Sequence, residues 1–260
     1  MIALLDSDVM AYRAAAACKE ESVTAALFTV DSIVVDALLH CDHDDVFYDK
    51  WKLFLTGANN FRKQVATTAP YKGNRTAPKP EHLPDVRKHL VEHWGAIIVD
   101  GQEADDTIAI EATKNANACI IISIDKDFRQ VPGHHYNFVK REHFYVTPES
   151  GLRFLYMQIL MGDTADNIIG ISGIGPKRAE ALLKDYTEEI DMYNACVEAY
   201  DGNEERVIEN AQLLYLRRKE NELWLPPNKR HFQTSSSKEA SRSRKKSGAN
   251  TTPTNPDTDS

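Results

Sequence analysis

Two short apolar segments, each followed at once by an aspartate, constrain the fold of this sequence most. Ile2 to Leu5 is followed by Asp6, and Cys119 to Ile124 is followed by Asp125 and Asp127. Continuous apolar runs of this length are typical of buried strands, and helical patterns lie between them. Alternating strands and helices predict an α/β fold with a mostly parallel sheet flanked by helices. Because parallel strands end at the same edge of a sheet, we expect the aspartates to gather there.

A second acidic segment, Gly101 to Ala112, begins an amphipathic helix. Glu103 and Asp106 share one helix face, whereas Asp105 falls on the inward side. Any one acid in a first helical turn can be explained by the helix dipole. Three crowded carboxylates, however, raise one another's pKa unless a cation lies among them. Their hard oxygen atoms indicate Mg²⁺ or Mn²⁺.

Further acids repeat this spacing in the second half of the chain. Asp163 and Asp166 lie three residues apart, like Glu103 and Asp106. Any one of these acids could be a helix cap or a surface charge. Together with the acids after the strands, they supply enough carboxylates for two divalent cations. Two such ions about 4 Å apart activate water and stabilise the leaving oxygen of a phosphodiester, so the set predicts phosphodiester hydrolysis.

A glycine turn precedes a short helix in the segment ISGIGPKRAEALL. Gly173 and Gly175 favour a tight hairpin, and Pro176 suits the first helical position. Backbone N–H groups at that helix start can hold a phosphate, with Lys177 and Arg178 alongside. The pattern predicts duplex binding without sequence preference, and a plain turn between helices is the alternative.

The stretch from Arg62 to Lys88 is basic and rich in proline. It carries seven lysines and arginines against two acids, and four prolines interrupt any helix. Arg62 and Tyr71, with Lys72 and Arg75, are suited to the phosphates and bases of a nucleic-acid strand. A solvated loop is the alternative interpretation.

Length, charge and cysteine spacing bound the class of protein. The 260 residues, 42% of them hydrophobic, suffice for one substantial core and a small second lobe. A net charge of −8 argues against nonspecific polyanion binding unless the charge is unevenly distributed. Scattered cysteines, the absence of a bilayer-length apolar run and an N-terminus unlike a signal peptide predict a cytoplasmic protein without membrane partners. We expect a monomer.

Several motifs, in order, resemble those of the 5′-nuclease family, which comprises flap endonucleases, 5′-nuclease domains of bacterial repair polymerases and phage 5′→3′ exonucleases. They are LLDSDVMAYR, NFR, YKGNR, EADD, SIDKDF, GDTADNI and GISGIGPKRA, and they span Ile2 to about Leu183. The resemblance implies a PIN-like core, an arch or gateway carrying Lys72 and Arg75 as catalytic cations, and a helix-hairpin-helix lobe that grips duplex DNA. In some members that lobe binds K⁺.

The resemblance also implies two Mg²⁺ sites, in which Mn²⁺ can substitute. The first would use Asp6, Glu103, Asp105 and Asp106, and the second Asp125, Asp127, Asp163 and Asp166.

One position departs from the family pattern. The family usually has an aspartate about six residues before the phenylalanine of its FR pair, where this chain has Leu55 followed by Thr56. If the first strand stays extended through Asp8, that side chain faces the same way as Asp6 and could hold a water on the first metal. Capping of the following helix is the alternative role for Asp8.

These observations divide the chain into three parts. Residues 1–161 would form the catalytic core, with the basic arch near 58–84. Residues 162–226 would form the helical lobe, with a last helix from Glu204 to Leu223. Residues 227–260 are poor in apolar side chains and predict a disordered tail.

The resulting prediction is a metal-dependent 5′→3′ exonuclease or structure-specific flap endonuclease, acting on DNA flaps, nicks or free 5′ ends. RNA in RNA–DNA hybrids stays open as a substrate, and the resemblance to stand-alone phage enzymes suggests a role in replication or primer removal. A haloacid-dehalogenase-type phosphatase, with Asp6 as nucleophile and Asp8 as acid, is one alternative. It has no use for the glycine hairpin or YKGNR. A non-catalytic DNA-junction binder is the other, against which the retention of Asp163 and Asp166 argues.

Overall fold

The computed structural model describes residues 1–43, 47–116 and 118–230. The tail predicted from the sequence lies, beyond Arg230, outside the described residues. Residues Met1–Trp224 form one compact unit. The second unit begins at Leu225 and contains, within the described residues, a 3₁₀ turn at Pro227–Lys229.

The first unit contains strands and helices in alternation, followed by a helical part. The strands are β1 (Ile2–Asp6), β2 (Lys50–Thr56), β3 (Ile97–Val99), β4 (Cys119–Ile122), β5 (Gly133–Asn137), β6 (Glu142–Val146), β7 (Gly162–Asp163) and β8 (Ile168–Ile169). The helices are α1 (Ser7–Ala17), α2 (Val23–Leu39), α3 (Arg62–Val65), α4 (Leu83–Trp94), α5 (Ala104–Lys114), α6 (Pro148–Met161), α7 (Pro176–Leu183), α8 (Glu189–Ala199) and α9 (Glu204–Leu214). A 3₁₀ helix spans Lys126–Gln130.

Strand β1 lies in the interior of the main sheet, whose order is β3-β2-β1-β4-β5-β6. All neighbouring pairs are parallel except β5 and β6, which form an antiparallel hairpin at one edge. Alternate residues of β1 serve opposite faces: Ala3 and Leu5 pack in one buried cluster with α1, α2 and α4, whereas Leu4 packs in another with α5. The predicted mostly parallel sheet flanked by helices is confirmed.

A third buried cluster joins α6, α7, α8 and α9. Helix α6 begins at Pro148, because Thr147 caps it and Pro148 suits its first position. Helix α9 instead ends at Leu214, nine residues before the predicted Leu223. None of the helices in the described ranges combines the length and apolar character needed to cross a membrane.

Candidate active site

The acids predicted to gather at one sheet edge do so because their strands are parallel neighbours. Strand β1 pairs with β4 so that Leu5 lies opposite Ile122, and Asp6 therefore ends beside the segment that follows β4. The Ser123 hydroxyl donates to Asp6 at 2.8 Å and accepts from the Asp125 backbone N–H at 2.9 Å. Burial, together with the charges of Asp8 and Asp125, raises the pKa of Asp6 to about 7 despite the hydrogen bond from Ser123. Burial thus destabilises the charged form of Asp6, which a nearby cation would stabilise.

The 3₁₀ helix after β4 brings Asp125 and Asp127 toward the end of α6. Burial, followed by the charges of Asp125 and Asp163, raises the pKa of Asp127 to about 7. Burial also raises the pKa of Asp125. Lys126 lies between these two acids in sequence and donates to Asp163 at 2.7 Å, and Gln158 of α6 donates to Asp127 at 2.7 Å.

At the start of α5, Glu103 and Asp105 face the same acidic region. Asp105 is half-buried, and burial, followed by the charges of Glu103 and Asp106, raises its pKa well above the usual value. Asp105 is thus a second carboxylate whose charge is poorly stabilised by the protein alone. The sequence places Asp105 on the inward side of the helix, but Asp106 is the fully buried acid of this turn and Asp105 is the more exposed one.

Tyr71 and Lys72 connect Glu103 to Asp166 across the site. The Tyr71 hydroxyl lies 2.7 Å from Glu103 Oε2 and 2.9 Å from Asp166 Oδ2. Lys72 Nζ donates to Glu103 Oε1 and lies 3.7 Å from Asp166 Oδ2. Arg75 donates to the other Asp166 oxygen at 2.6 Å. Lys72 and Arg75, the predicted catalytic cations, therefore contact acids from two different parts of the chain.

The loop that carries these cations is held to residues 164–167 by one backbone hydrogen bond and by asparagine side chains that donate to backbone carbonyls. The Lys72 N–H donates to the Asp166 carbonyl at 2.8 Å, and Lys72 has a φ of 56°. Asn74 donates to the Thr164 carbonyl at 2.6 Å, and Asn167 donates to the Pro70 carbonyl at 2.9 Å. The basic side chains are thus held over the acids by backbone geometry and by their ion pairs together.

Asp106 and Arg62, predicted as a metal ligand and a DNA contact, instead form a buried ion pair with each other. Arg62 is 1% exposed and donates to both oxygens of Asp106, and it also donates to the carbonyls of Leu213 and Tyr215. Asp106 is fully buried and further accepts from the Arg217 N–H at 3.1 Å. Burial works against its charge, but the Arg62 guanidinium outweighs burial and lowers the pKa of Asp106. Both Asp106 oxygens therefore accept from Arg62, and the Arg62 guanidinium is not exposed at the surface.

The structure also corrects the predicted roles of Tyr71 and Asp8. Tyr71 is buried with its hydroxyl on the acids, so it is not placed to stack on a DNA base. The prediction that the first strand stays extended through Asp8 is wrong, because β1 ends at Asp6, whose side chain accepts from the Val9 N–H and caps α1. Asp8 lies in the first helical turn and contacts Arg87 and Thr56 instead.

The glycine hairpin faces solvent. Gly173, Gly175, Lys177 and Arg178 are all exposed. Gly173 has a φ of 78°, the left-handed conformation that favours glycine, and Arg178 donates to its carbonyl at 2.9 Å. Gly175 has extended backbone, and a Cβ added there would meet nothing within 4 Å.

Sequence reasoning missed three side chains that contact the acids. Lys126 has a signal in its position between two acids, and Ser123 in its position two residues before Asp125. Gln158 has none, because its contact depends on how α6 packs.

Acids exceed basic groups in this region. Eight carboxylates were predicted as ligands, and within the described residues four basic side chains pair with them: Arg62, Lys72, Arg75 and Lys126. In the same ranges no three aspartate, glutamate, histidine or cysteine side chains are arranged to hold a metal ion. Lys72, Arg75 and Lys126 contact carboxylate oxygens of the acids that the sequence predicts as ligands.

Comparisons with known proteins agree with the sequence motifs. The family model of the 5′-3′ exonuclease N-terminal resolvase-like domain matches residues 1–153. The flap endonuclease Xni of Shewanella piezotolerans is 36% identical over 143 residues, which cover 48% of this chain and 55% of that protein. DNA polymerase I of Rhizobium leguminosarum is 34% identical over 153 residues, 52% of this chain and 15% of the polymerase.

Among solved structures, a bacteriophage T5 flap endonuclease in a pseudo-enzyme-product complex with DNA and metal ions is similar in fold. It superposes with a TM-score of 0.62 at 18% sequence identity, over 83% of this chain and 89% of that one. The match therefore extends past residue 153 into the helical part, whereas the sequence matches span only about half the length of the Xni relative.

Proposed function

Because the chain belongs to the 5′-3′ exonuclease family, through its N-terminal resolvase-like domain, we propose that it is a metal-dependent 5′ nuclease. Its substrates would be phosphodiesters near the 5′ ends of DNA, in flaps, nicks or free ends. The observation that carries the proposal is that Tyr71 and Lys72 each contact both Glu103 and Asp166, two acids from different parts of the chain. The solved T5 relative, described with DNA and metal ions, supports the same substrate class.

The donor chemistry of the site fits divalent cations. Its ligands are carboxylate oxygens, acids exceed bases, and burial raises the pKa of Asp6, Asp105, Asp125 and Asp127. Hard cations such as Mg²⁺ prefer these ligands. We propose that the carboxylates other than Asp106 would hold two Mg²⁺ ions, which would supply an activated water and stabilise the leaving oxygen.

Lys72 and Arg75 would act directly on the substrate phosphate. Both come from one loop and both contact Asp166, so a phosphate that enters the site meets two cations whose positions are fixed by that loop. Cations near a reacting phosphate stabilise the negative charge that develops in the transition state. Tyr71 keeps Glu103 and Asp166 in place through its hydroxyl.

The substitution Lys72→Ala is expected to reduce kcat by about 100-fold to 1000-fold, since removal of one positioned electrostatic donor typically costs this much. Single-turnover cleavage of a 5′-labelled flap at saturating enzyme measures the effect. Lys140→Ala, which removes an exposed lysine on the turn between β5 and β6, is the control and should cleave at the wild-type rate. A Lys72→Ala protein with wild-type kcat would contradict the catalytic role.

We further propose that residues 1–161 form the catalytic core and that residues 162–226 grip duplex DNA. The exposed hairpin with Lys177 and Arg178 at the start of α7 supports the second role, and K⁺ at the hairpin belongs to the same proposal.

Gly175→Val is expected to weaken duplex binding while leaving stability unchanged. A Cβ at Gly175 meets no protein atom within 4 Å and the backbone is extended, so the folded chain tolerates it. The side chain would instead obstruct close approach of the backbone to a phosphate. Filter binding of duplex and single-stranded DNA, with thermal unfolding in parallel, measures both effects. Equal losses on the two nucleic acids would contradict the duplex assignment.

One assay decides among the functions that the sequence left open. We expect Mg²⁺-dependent release of short products from 5′-labelled flap and nicked DNA, with no cleavage of closed circles. Hydrolysis of a small phosphomonoester alone would favour the phosphatase, although Asp8 is held by Arg87 and Thr56. Tight junction binding without cleavage at any Mg²⁺ concentration would favour the non-catalytic binder. An RNA–DNA hybrid in the same assay tests the hybrid substrate.

A further inference from the structure

Thr56, the last residue of β2, is contacted by side chains of α1 and α4 and lies next to the start of α5. Asp8 of α1 accepts from the Thr56 N–H at 2.7 Å, and Arg87 of α4 donates to the Thr56 carbonyl at 2.5 Å. Arg87 also donates to the other Asp8 oxygen. Both backbone groups of Thr56 are thus held by side chains from two helices. We call Asp8, Thr56 and Arg87 the strand-end clamp.

The side chain of Thr56 connects this clamp to the acidic site. Its hydroxyl accepts from the Ala104 N–H at 2.9 Å, and Ala104 is the first residue of α5, directly after Glu103. The N–H groups of a first helical turn have no partner within the helix, so the hydroxyl fixes the beginning of α5 in place. The preceding residue, Leu55, is fully buried in the core, and its apolar side chain cannot accept a hydrogen bond from α5.

From this chain of contacts we propose that Asp8 and Arg87 are positioning residues that set the location of the Glu103 carboxylate through Thr56. The inference rests on the proposed metal-dependent nuclease. The proposed role of Asp8 is indirect and does not include contact with the metal, because one Asp8 oxygen accepts from Thr56 and the other from Arg87. Groups that orient a metal ligand typically contribute about 10-fold to 100-fold in metal affinity or activity.

If the clamp only stabilised the fold, the loss of any hydrogen bond between β2 and α5 would have the same effect on the Mg²⁺ dependence. The chain offers a matched control for that possibility. Lys52 of β2 donates to Glu111 of α5 at 2.6 Å and so joins the same two elements near their other ends, away from Glu103. Loss of the Lys52 contact should affect stability without moving the acids.

The experiment compares wild type with Thr56→Val, Thr56→Ser, Asp8→Asn and Lys52→Gln. Two readouts are taken as functions of Mg²⁺ concentration: the rate of flap cleavage, and the rise in thermal unfolding temperature without DNA. We expect Thr56→Val and Asp8→Asn to shift both half-maximal Mg²⁺ concentrations upward by about 10-fold to 100-fold. Thr56→Ser, which keeps the hydroxyl, should stay within about 3-fold of wild type, and Lys52→Gln should not shift either midpoint.

Unchanged Mg²⁺ midpoints in folded Thr56→Val and Asp8→Asn proteins would overturn the positioning role, and so would an equal shift in Lys52→Gln. If Thr56→Val does not fold, the comparison of Asp8→Asn with Lys52→Gln decides alone. A wild-type protein that neither cleaves nor gains stability with Mg²⁺ would contradict the proposed function itself, and the inference with it.

Discussion

Replacing both Asp163 and Asp166 by asparagine is expected to lower the rate of cleavage by about a thousandfold or more. Divalent cations at such a site are worth several kcal/mol in the transition state, and about 4 kcal/mol corresponds to a thousandfold. Asp163 is buried and paired with Lys126, and Asp166 contacts Tyr71, Lys72 and Arg75. The double change therefore removes two negative charges where the cationic loop meets the acids.

DNA binding by the same double variant should stay within about 3-fold of wild type, since phosphate contacts on the glycine hairpin position the duplex independently of the acids. Single-turnover cleavage and filter binding on one flap substrate separate the two effects. Asp201→Asn is a suitable control, because Asp201 is exposed with a φ of 55°, a conformation that asparagine tolerates. Wild-type cleavage by the double variant would exclude these acids from the active site.

The sequence predicts the sheet and most of the acid cluster because both depend on local patterns. Apolar runs identify β1 and β4, and parallel pairing of neighbouring strands then brings Asp6 and Asp125 to one edge. The i, i+3 spacing of Asp163 and Asp166 is likewise visible before any tertiary structure is known. These predictions need only short-range periodicity and the rule that parallel strands end together.

The failed prediction for the end of α9 depends on contacts between distant residues. Helix α9 ends at Leu214 because the carbonyls of Leu213 and Tyr215 accept from Arg62, and the Arg217 N–H donates to Asp106. These tertiary bonds outweigh the helical propensity of the residues up to Leu223. The apolar pattern of the sequence around α9 gives no sign of these tertiary hydrogen bonds.

Charge in a sequence indicates exposure only when no buried partner exists. Arg62 belongs to a basic, proline-rich stretch, and its neighbours Lys72 and Arg75 do lie over the acids. Its own partner, Asp106, is 44 residues away and belongs to an acidic cluster that invites interpretation as metal ligands. The sequence gives no sign of this pair, in which each residue satisfies the charge of the other.

The second large effect follows from this pair: Arg62→Met should destabilise the protein by about 3 to 5 kcal/mol, because breaking a buried pair leaves an uncompensated charge. Arg62 also supplies hydrogen bonds to Leu213 and Tyr215 at the end of α9, so the loss reaches beyond α5. Urea unfolding at neutral pH measures the difference. Arg141→Met, which removes an exposed ion pair with Asp36, is the control and should cost less than about 1 kcal/mol.

A second substitution at Asp106 distinguishes charge from packing. If the unpaired carboxylate causes the loss, Arg62→Met combined with Asp106→Leu should recover a large part of it, because apolar replacements of a buried pair are often neutral or better. A double variant as unstable as Arg62→Met would assign the loss to the missing bonds to α9 instead.

The double variant also tests the ligand set: Asp106 accepts from Arg62 and two backbone N–H groups, so a folded Arg62→Met, Asp106→Leu protein should retain its response to Mg²⁺. Loss of that response in a folded double variant would return Asp106 to the metal site.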